Sequence, residues 1–331
     1  MGAGPLHRTA VSRIMPGMGL PLDIPDVVRR RALAKGAEGQ AWLQALPSQV
    51  DSIARHWGLT LSGVMQGGTE AVVVAATTHE GEEAVLKVVM PGLEHSAREL
   101  QTLLYAQGRG YVRVLRHDSA HHAMLLERLG PQLSELGLAP AVQIEHLCQT
   151  LLEAWRDIPD ATPFQSGARK AELLALFIED MQAQASPPWP RDIIDTALRF
   201  AHARHAAFTP RQAVLSHGDC HSQNTLLVPG GGPRRFKLID PEGLFIERGY
   251  DLGILMREWG QDLLAGDAFA RGVERCRSLS ARTGVEPQSI WQWGFIERVS
   301  SGLLLRQLEM HPEADEFFSV ARAWAAHPDP F

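Results

Sequence analysis

Residues 215–224 read LSHGDCHSQN, and this stretch decides how the rest of the chain is interpreted. Asp219 lies five residues before Asn224. At that spacing one loop can turn a carboxylate toward a substrate hydroxyl and an amide toward a metal ion. The stretch therefore predicts a catalytic loop that carries Asp219 and Asn224.

Two short apolar runs follow the loop, Thr225–Val228 and Phe236–Ile239. The residues between them, PGGGP at 229–233, are typical of a turn, so the pattern predicts a β-hairpin. A hairpin of this length would return Asp240 close to Asn224. Two oxygen ligands suited to a hard cation such as Mg2+ would then converge.

Length, composition and charge set the broad class of the protein. A chain of 331 residues exceeds the usual size of one domain, which predicts two lobes or domains. With 45% hydrophobic and 21% charged residues, the composition is that of an ordinary globular protein. The net charge of -6 argues against a nucleic-acid partner and fits a cationic or neutral small molecule.

The cysteines and the apolar runs bear on the compartment. Cys148, Cys220 and Cys276 are widely spaced and odd in number, which favours a reducing compartment over a disulfide framework. No apolar run is long enough for a membrane span, and the N-terminus lacks the apolar core of a secretory signal. We therefore expect a cytoplasmic protein with no membrane partner, and the oligomeric state stays open.

Hydrophobic periodicity divides the chain into three parts, 1–57, 58–129 and 130–331. In the first part a loose arm, residues 1–22, precedes two helices, the second of which restarts after Pro47 and ends at Gly58. The second part predicts a five-stranded antiparallel sheet with one helix on it. Its segments are Leu59–Met65, Ala71–Thr77, Ala84–Val89, the helix Leu93–Gln107, Tyr111–Arg116 and Ala123–Leu129.

The third part predicts a large helical lobe with one hairpin inset, and one of its helices covers Leu252–Leu264. The predicted fold class is therefore α+β and bilobal, with a small sheet lobe, a large helical lobe and extra N-terminal helices.

Lys87 lies among apolar neighbours in the third predicted strand. A buried ammonium group requires anions nearby, and Glu99 on the following helix is the candidate carboxylate, with Glu94 in reserve. A strand lysine paired with a helix glutamate binds nucleotide phosphates in kinases. The alternative is a lysine at the sheet edge whose ammonium reaches water.

The turn between the first two strands contains Gly67 and Gly68. Its bare backbone N–H groups could cover phosphates, although the turn lacks the spaced glycines of the protein-kinase loop. A plain hairpin turn explains the same residues.

Taken together, these motifs resemble the aminoglycoside and hydroxyurea phosphotransferase family, relatives of the streptomycin kinases within the protein-kinase-like fold. The resemblance extends from about residue 40 to the end of the chain. It is carried by Trp57-Gly58-Leu59, Val85-Leu86-Lys87, Leu125–Leu129, His217–Asn224, Ile239–Gly243 and Tyr250–Gly253.

The resemblance implies a role for each candidate residue. Asp219 would be the catalytic base, and Asn224 and Asp240 would bind Mg2+. Lys87, together with Glu99, would hold the α- and β-phosphates of ATP or GTP, and the turn at Gly67 and Gly68 would cover the phosphates. The backbone of Glu127 to Leu129 would form the inter-lobe hinge that meets the purine.

The implied function is transfer of the γ-phosphate of ATP to a hydroxyl group of a small-molecule antibiotic, an aminoglycoside of streptomycin type, which would confer resistance. Other acceptors stay open, namely a tuberactinomycin peptide, hydroxyurea, or a sugar or amino alcohol of metabolism. A non-catalytic binding module is the remaining alternative. It is disfavoured because Lys87, Asp219, Asn224 and Asp240 are all present.

The chain departs from protein kinases in two places. Gly218 occupies the position of the arginine that senses a phosphorylated activation loop, and only ten residues separate Asp240 from Asp251. No activation loop fits in that interval, which predicts a constitutively competent enzyme. Asp251 is expected to cap the following helix and brace the catalytic loop, and His217 to make a structural hydrogen bond.

Four acidic residues follow the catalytic loop, namely Glu242, Glu247, Glu258 and Asp262. They predict either a solvated helix face or a carboxylate-lined pocket for a guanidinium- or amine-bearing substrate. A zinc site at His217, Cys220 and His221 is the less favoured interpretation of the loop, because a second ligand pair at fitting spacing is lacking.

Overall fold

The computed structural model describes residues 22–92, 94–186, 188–230 and 234–331, and of residues 94 and 95 only the backbone. The predicted N-terminal arm except its last residue, the start of the helix at Leu93, the side chain of Glu94 and residues 231–233 of the predicted hairpin turn lie outside the described residues.

Two compact units contain the described residues. The first holds the chain up to Ser96 together with Arg113–Arg128, and the second holds Ala97–Val112 and Leu129–Phe331. The N-terminal helices group with the sheet. The division at residues 57 and 129 stays a prediction.

The first unit contains two helices and the predicted five-stranded antiparallel sheet, with strand order β1-β2-β3-β5-β4. A third helix, α3, begins in this unit and continues into the second. The elements are α1 Asp26–Ala34, α2 Ala37–Trp57, β1 Thr60–Met65, β2 Ala71–Thr77, β3 Glu83–Val89, α3 Glu94–Ala106, β4 Val114–Asp118 and β5 Ala123–Glu127.

Helix α2 runs without interruption through Pro47, so the predicted restart at this residue is wrong. Proline removes one helical hydrogen bond, but Trp42, Leu46 and Val50 continue one buried face across it and pack on the sheet. Burial of that face stabilises the helix more than the lost bond weakens it. The helix ends, as predicted, at Gly58, which has a left-handed backbone with φ 68°.

Helices dominate the second unit, as predicted. After a short 3-10 turn at Leu133–Leu136, the elements are α4 Pro140–Ala154, β6 Gln165–Ser166, α5 Gly167–Gln184, α6 Arg191–Ala207, β7 Ala213–Ser216, β8 Thr225–Leu227, β9 Phe236–Leu238, β10 Leu244–Glu247, α7 Gly249–Arg257, α8 Gly260–Leu264, α9 Ala268–Thr283, α10 Pro287–Gln307 and α11 His311–Ala325.

Helix α10 lies at the centre of this unit and packs against α6, α7 and α11. Trp291, Trp293 and Phe295 are every second residue and therefore point to different sides of the helix, yet all are buried. A helix that is apolar around most of its circumference must be enclosed on all sides. The two tryptophans therefore serve core packing.

The prediction of the second unit is wrong in two details. A three-stranded sheet of order β6-β10-β7 lies beside the predicted hairpin. The helix predicted at Leu252–Leu264 is two helices, since α7 ends at Arg257 and Trp259 adopts a left-handed backbone with φ 51° before α8 begins.

No helix in the described part of the chain is both long and apolar enough to cross a membrane.

Candidate active site

The catalytic loop is held between two short strands of the second unit. Strand β7 is buried along its length and leads directly into His217. Its last residue, Ser216, pairs with Leu244 of β10. After the loop, β8 and β9 form the predicted hairpin, in which Thr225 pairs with Leu238.

The hairpin returns the chain to the loop as predicted. The N–H of Ile239 donates to the carbonyl of Asn224 at 2.9 Å, one step beyond the last strand pair. Asp240 follows Ile239 in the chain, so its backbone emerges beside that of Asn224.

His217 fixes the conformation of the loop, which confirms its predicted structural role. Its ring is fully buried and stacks on Tyr111, with centroids 5.9 Å apart. Nδ1 accepts from the N–H of Asp219 at 3.0 Å, and Nε2 lies 2.8 Å from the carbonyl oxygen of Ile239. Nε2 therefore carries the hydrogen, and burial lowers the pKa of this imidazole.

Asp251 holds the backbone of the catalytic loop in place, as predicted. Its carboxylate accepts from the N–H of His217 at 3.1 Å, from the N–H of Gly218 at 2.8 Å and from Nε1 of Trp155 at 2.8 Å. The predicted capping role is wrong, because α7 begins at Gly249 and Asp251 lies inside its first turn.

Gly218 is required by its surroundings. Its φ is +92°, and a Cβ atom at this position would lie 2.8 Å from Cβ of Glu242 and 3.1 Å from Cδ1 of Leu244. The arginine found here in protein kinases would not fit.

Asp219 extends from the loop with about a third of its side chain exposed. Its Oδ1 accepts from Nη2 of Arg257 at 2.9 Å, and its Oδ2 lies 3.2 Å from Nε2 of His221. Burial by itself raises the pKa of Asp219, but the contacts with His221 and Arg257 outweigh burial, and the pKa of this carboxyl lies well below its usual range. The carboxylate is ionised at neutral pH.

Asn224 and Asp240 provide the oxygen donors of the predicted metal site. Nδ2 of Asn224 donates to the carbonyl of Asp219 at 3.1 Å, which fixes the amide and leaves Oδ1 as the atom that could bind a cation. Asp240 is exposed and has a left-handed backbone with φ 56°, a conformation that aspartate tolerates better than most residues. One carboxylate and one amide oxygen fit a cation that also takes phosphate oxygens and water.

The three side chains considered as zinc ligands make other contacts in the loop. His217 and His221 are engaged as described, and Sγ of Cys220 donates to the carbonyl of Asp251 at 3.2 Å. Among the described residues, no group of three or more His, Cys, Asp or Glu side chains is arranged to bind a metal ion.

Lys87 lies on β3, the central strand of the sheet, opposite Val73 of β2 and Met124 of β5. The alternative of a lysine at the sheet edge is therefore wrong. Lys87 is 8% exposed, and Glu99 on α3 is 5% exposed. Both buried charges belong to residues that the sequence proposed for phosphate binding.

The other predicted nucleotide residues lie in loops or at strand ends. Gly67 is exposed with φ +112°, and a Cβ at Gly68 would approach the carbonyl oxygen of Ala71 to 2.8 Å. Oε1 of Glu127 accepts from the N–H of Arg113 at 2.7 Å. The chain enters the second unit at Leu129, which is buried.

The four acidic residues proposed for substrate binding are each paired with a basic side chain. A pocket that binds a cation directly would present carboxylates without basic partners, and these four residues do not. The pairs are Glu242 with Lys170 at 2.9 Å, Glu247 with Arg204 at 3.3 Å, Glu258 with Arg257 at 3.2 Å, and Asp262 with Arg271 and Arg275, both at 2.9 Å.

Sequence reasoning missed Arg257 and Glu297 as neighbours of the catalytic loop. Glu297, on α10, accepts from the hydroxyl of Tyr250 at 2.5 Å and from Nη1 of Arg257 at 3.4 Å. One signal was available, because Arg257 ends a helix whose other residues are buried, and a charge in that position needs partners.

A five-stranded antiparallel sheet, a helical unit and a loop that presents an ionised aspartate beside a carboxamide define a kinase of the protein-kinase-like fold. The family model described as aminoglycoside/hydroxyurea antibiotic resistance kinase matches residues 56–308. The chain belongs to this family, which confirms the resemblance, the fold class and the phosphotransferase class predicted from the sequence.

The relatives that match most of the chain include a streptomycin kinase and a hydroxyurea phosphotransferase. A streptomycin 6-kinase from Streptomyces glaucescens is 29% identical over 260 residues, which is 77% of this chain and 81% of the relative. A hydroxyurea phosphotransferase from Kitasatospora aureofaciens is 30% identical over 297 residues, 86% of this chain and 83% of the relative.

Solved structures share the fold at low sequence identity. A choline kinase from Streptococcus pneumoniae has a TM-score of 0.55 and 12% identity, covering 84% of this chain and 97% of its own. An aminoglycoside phosphotransferase from Streptomyces rimosus, in complex with ADP and streptomycin, has a TM-score of 0.53 and 16% identity, covering 78% of this chain and 98% of its own. The class implies that the chain uses a nucleotide and acts on a small molecule.

Proposed function

We propose that the chain transfers the γ-phosphate of ATP to a hydroxyl group of an aminoglycoside of streptomycin type, in the cytoplasm and with Mg2+. The observation that carries the proposal is the geometry of the catalytic loop. Its ionised Asp219 stands on the same short segment as Asn224, and the hairpin returns the backbone of Asp240 to that segment.

Asp219 orients the acceptor and takes its proton. The carboxylate accepts a hydrogen bond from the acceptor hydroxyl, whose oxygen forms the new bond to the γ-phosphorus while the bond to the β,γ-bridging oxygen breaks. A carboxylate with a low pKa is a weak base, but in a loose transition state the proton leaves late, so orientation matters more than basicity.

The nucleotide and metal residues act by positioning and charge. Asn224 and Asp240 would hold Mg2+, which would supply positive charge to neutralise the phosphates. Lys87 would bind the α- and β-phosphates, with Glu99 as the carboxylate partner of its ammonium group. The N–H groups of the turn at Gly67 and Gly68 and the backbone of Glu127 to Leu129 complete the nucleotide site.

A cationic acceptor agrees with the charge of the chain and with the name of the streptomycin 6-kinase relative. Because Glu242, Glu247, Glu258 and Asp262 already have basic partners, a guanidinium-bearing acceptor would have to displace one of them. Glu242 is the favoured carboxylate, since its side chain is 40% exposed and lies against Gly218 of the catalytic loop.

Hydroxyurea is the second candidate acceptor, because the hydroxyurea phosphotransferase relative is as similar to this chain as the streptomycin kinase. Hydroxyurea is small and uncharged, so it would leave the four ion pairs intact. Phosphorylation of hydroxyurea alone would select this second candidate.

A coupled assay of ADP release tests the proposal against streptomycin, other aminoglycosides, a tuberactinomycin peptide, hydroxyurea and simple amino alcohols. We expect ADP release with streptomycin, and a loss of about 100-fold or more in kcat for Asp219→Asn. Asp195→Asn, which removes an exposed carboxylate on α6, is the matched control and should behave as wild type. Absence of turnover with every acceptor would refute the proposal.

A further inference from the structure

Arg257 makes the closest basic contact with the catalytic carboxylate, and we propose that it is a positioning residue for phosphoryl transfer. It would hold the Asp219 carboxylate in the orientation that receives the acceptor hydroxyl. This inference rests on the proposed function, in which Asp219 contacts the acceptor.

The guanidinium of Arg257 is fixed at three points. Nη2 lies 2.9 Å from Oδ1 of Asp219, Nε lies 3.2 Å from Oε1 of Glu258, and Nη1 lies 3.4 Å from Oε2 of Glu297. Its side chain is only 16% exposed. A planar fork held by three carboxylates cannot rotate without breaking at least one ion pair.

Asp219 is thereby restrained at both carboxylate oxygens and at its backbone N–H. Oδ1 accepts from Arg257, Oδ2 faces His221 at 3.2 Å, and the backbone N–H is bound by His217. A carboxylate has about four lone-pair directions. The contacts with Arg257 and His221 use two of these directions. The remaining lone pairs are then held in fixed directions, in which they can accept a hydrogen bond from the acceptor hydroxyl.

The backbone that carries Arg257 is equally rigid. Nη2 of Arg298 donates to the carbonyls of Met256 and Arg257 at 2.7 and 2.8 Å, and Nη1 of Arg275 donates to the carbonyl of Glu258 at 2.6 Å. Both arginines are buried. They satisfy the carbonyls at the C-terminus of α7, where a positive charge is favourable.

A purely structural role for Arg257 predicts different behaviour. Glu297 is 5% exposed, and in a purely structural role the one task of Arg257 would be to neutralise this buried carboxylate. In that case substitution would weaken the fold and would affect turnover independently of Asp219. In the positioning role, the loss would appear in kcat and would disappear once the Asp219 carboxylate is gone.

The test compares wild type, Arg257→Lys, Arg257→Gln, Asp219→Asn and the double variant Arg257→Lys/Asp219→Asn. The acceptor is streptomycin or hydroxyurea, whichever the wild type phosphorylates. Kinetic constants, the Kd for ADP and the thermal midpoint are measured for each. Arg199→Gln removes an exposed arginine–aspartate pair with Asp329 on the same unit and is the matched control.

We expect kcat to fall about 100-fold in Arg257→Gln and about tenfold in Arg257→Lys, which keeps the charge but not the fork. The acceptor KM and the Kd for ADP should stay within about threefold of wild type. In the Asp219→Asn background, Arg257→Lys should change the residual kcat by less than about twofold.

The inference is overturned if Arg257→Lys keeps kcat within about threefold of wild type, or if its loss multiplies with that of Asp219→Asn. If Arg257→Gln does not fold, the lysine variant and the double variant decide alone. Absence of turnover in the wild type refutes the proposed function and this inference with it, whereas an active wild type with indifferent Arg257 variants refutes the inference only.

Discussion

Replacement of Asp251 by asparagine tests how firmly the catalytic loop is held. Oδ2 of Asp251 accepts from both Trp155 and the N–H of His217, and Oδ1 accepts from the N–H of Gly218. An asparagine has one acceptor oxygen. Its best orientation keeps two of the three donors and places its own NH2 group against the buried N–H of Gly218.

The expected cost follows from these contacts. One buried donor without an acceptor costs about 1 to 3 kcal/mol, and the two retained hydrogen bonds lose the strength that the charge gives them. We expect Asp251→Asn to lower the free energy of unfolding by about 2 to 4 kcal/mol and, through the displaced loop, to lower kcat about 100-fold.

Urea unfolding followed by tryptophan fluorescence measures the stability, and the coupled assay measures kcat. Trp155→Phe is the comparison, because it removes one donor and leaves both backbone N–H groups bound to the carboxylate. We expect it to cost about 1 to 2 kcal/mol and to retain more activity. An Asp251→Asn protein within about 0.5 kcal/mol of wild type, or more stable than Trp155→Phe, would refute the reasoning.

Three further outcomes are expected. Gly218→Ala combines a left-handed backbone with a Cβ overlap at 2.8 Å, so we expect the free energy of unfolding in urea to fall by about 2 kcal/mol or more. Gly137→Ala is the control, because Gly137 has φ +64° and open space around it, and the free energy of unfolding should fall by only about 1 kcal/mol. Burial raises the pKa of Cys148 and of Cys276 to about 12, so neither native thiol should react with a thiol reagent at pH 8. Since the native thiols keep protons that the unfolded chain releases, the free energy of unfolding should fall as pH rises above about 9; a constant free energy would contradict this. EDTA should stop turnover, Mg2+ should restore it, and Asn224→Ala should raise the Mg2+ concentration needed.

Local patterns were sufficient to predict much of this molecule. The five strands of the sheet, the hairpin after Asn224 and the buried lysine on β3 each follow from a short run of residues and its turn. The structural role of His217 followed from its place in a recognisable loop. These features depend on neighbours close in the chain, where period and turn chemistry carry information.

The features that the sequence did not predict depend on distant partners. Arg257 and Asp219 are 38 residues apart in the chain, and Tyr250 and Glu297 are 47 apart. Strand β10 has four residues and β6 has two, which is too short for alternation to be recognised. The basic partners of Glu242, Glu247 and Asp262 lie on other helices, namely α5, α6 and α9, so the charge pattern along one segment could not show these pairs.

Strand β10 forms the middle of the interval between Asp240 and Asp251, and it lies in a sheet between β6 and β7. A strand that is hydrogen-bonded to neighbours on both edges cannot be rearranged by phosphorylation in the way that a free activation loop can. For a kinase built in this way, the amount of active enzyme would then be set by synthesis and degradation of the chain, and phosphorylation of this segment would not change it.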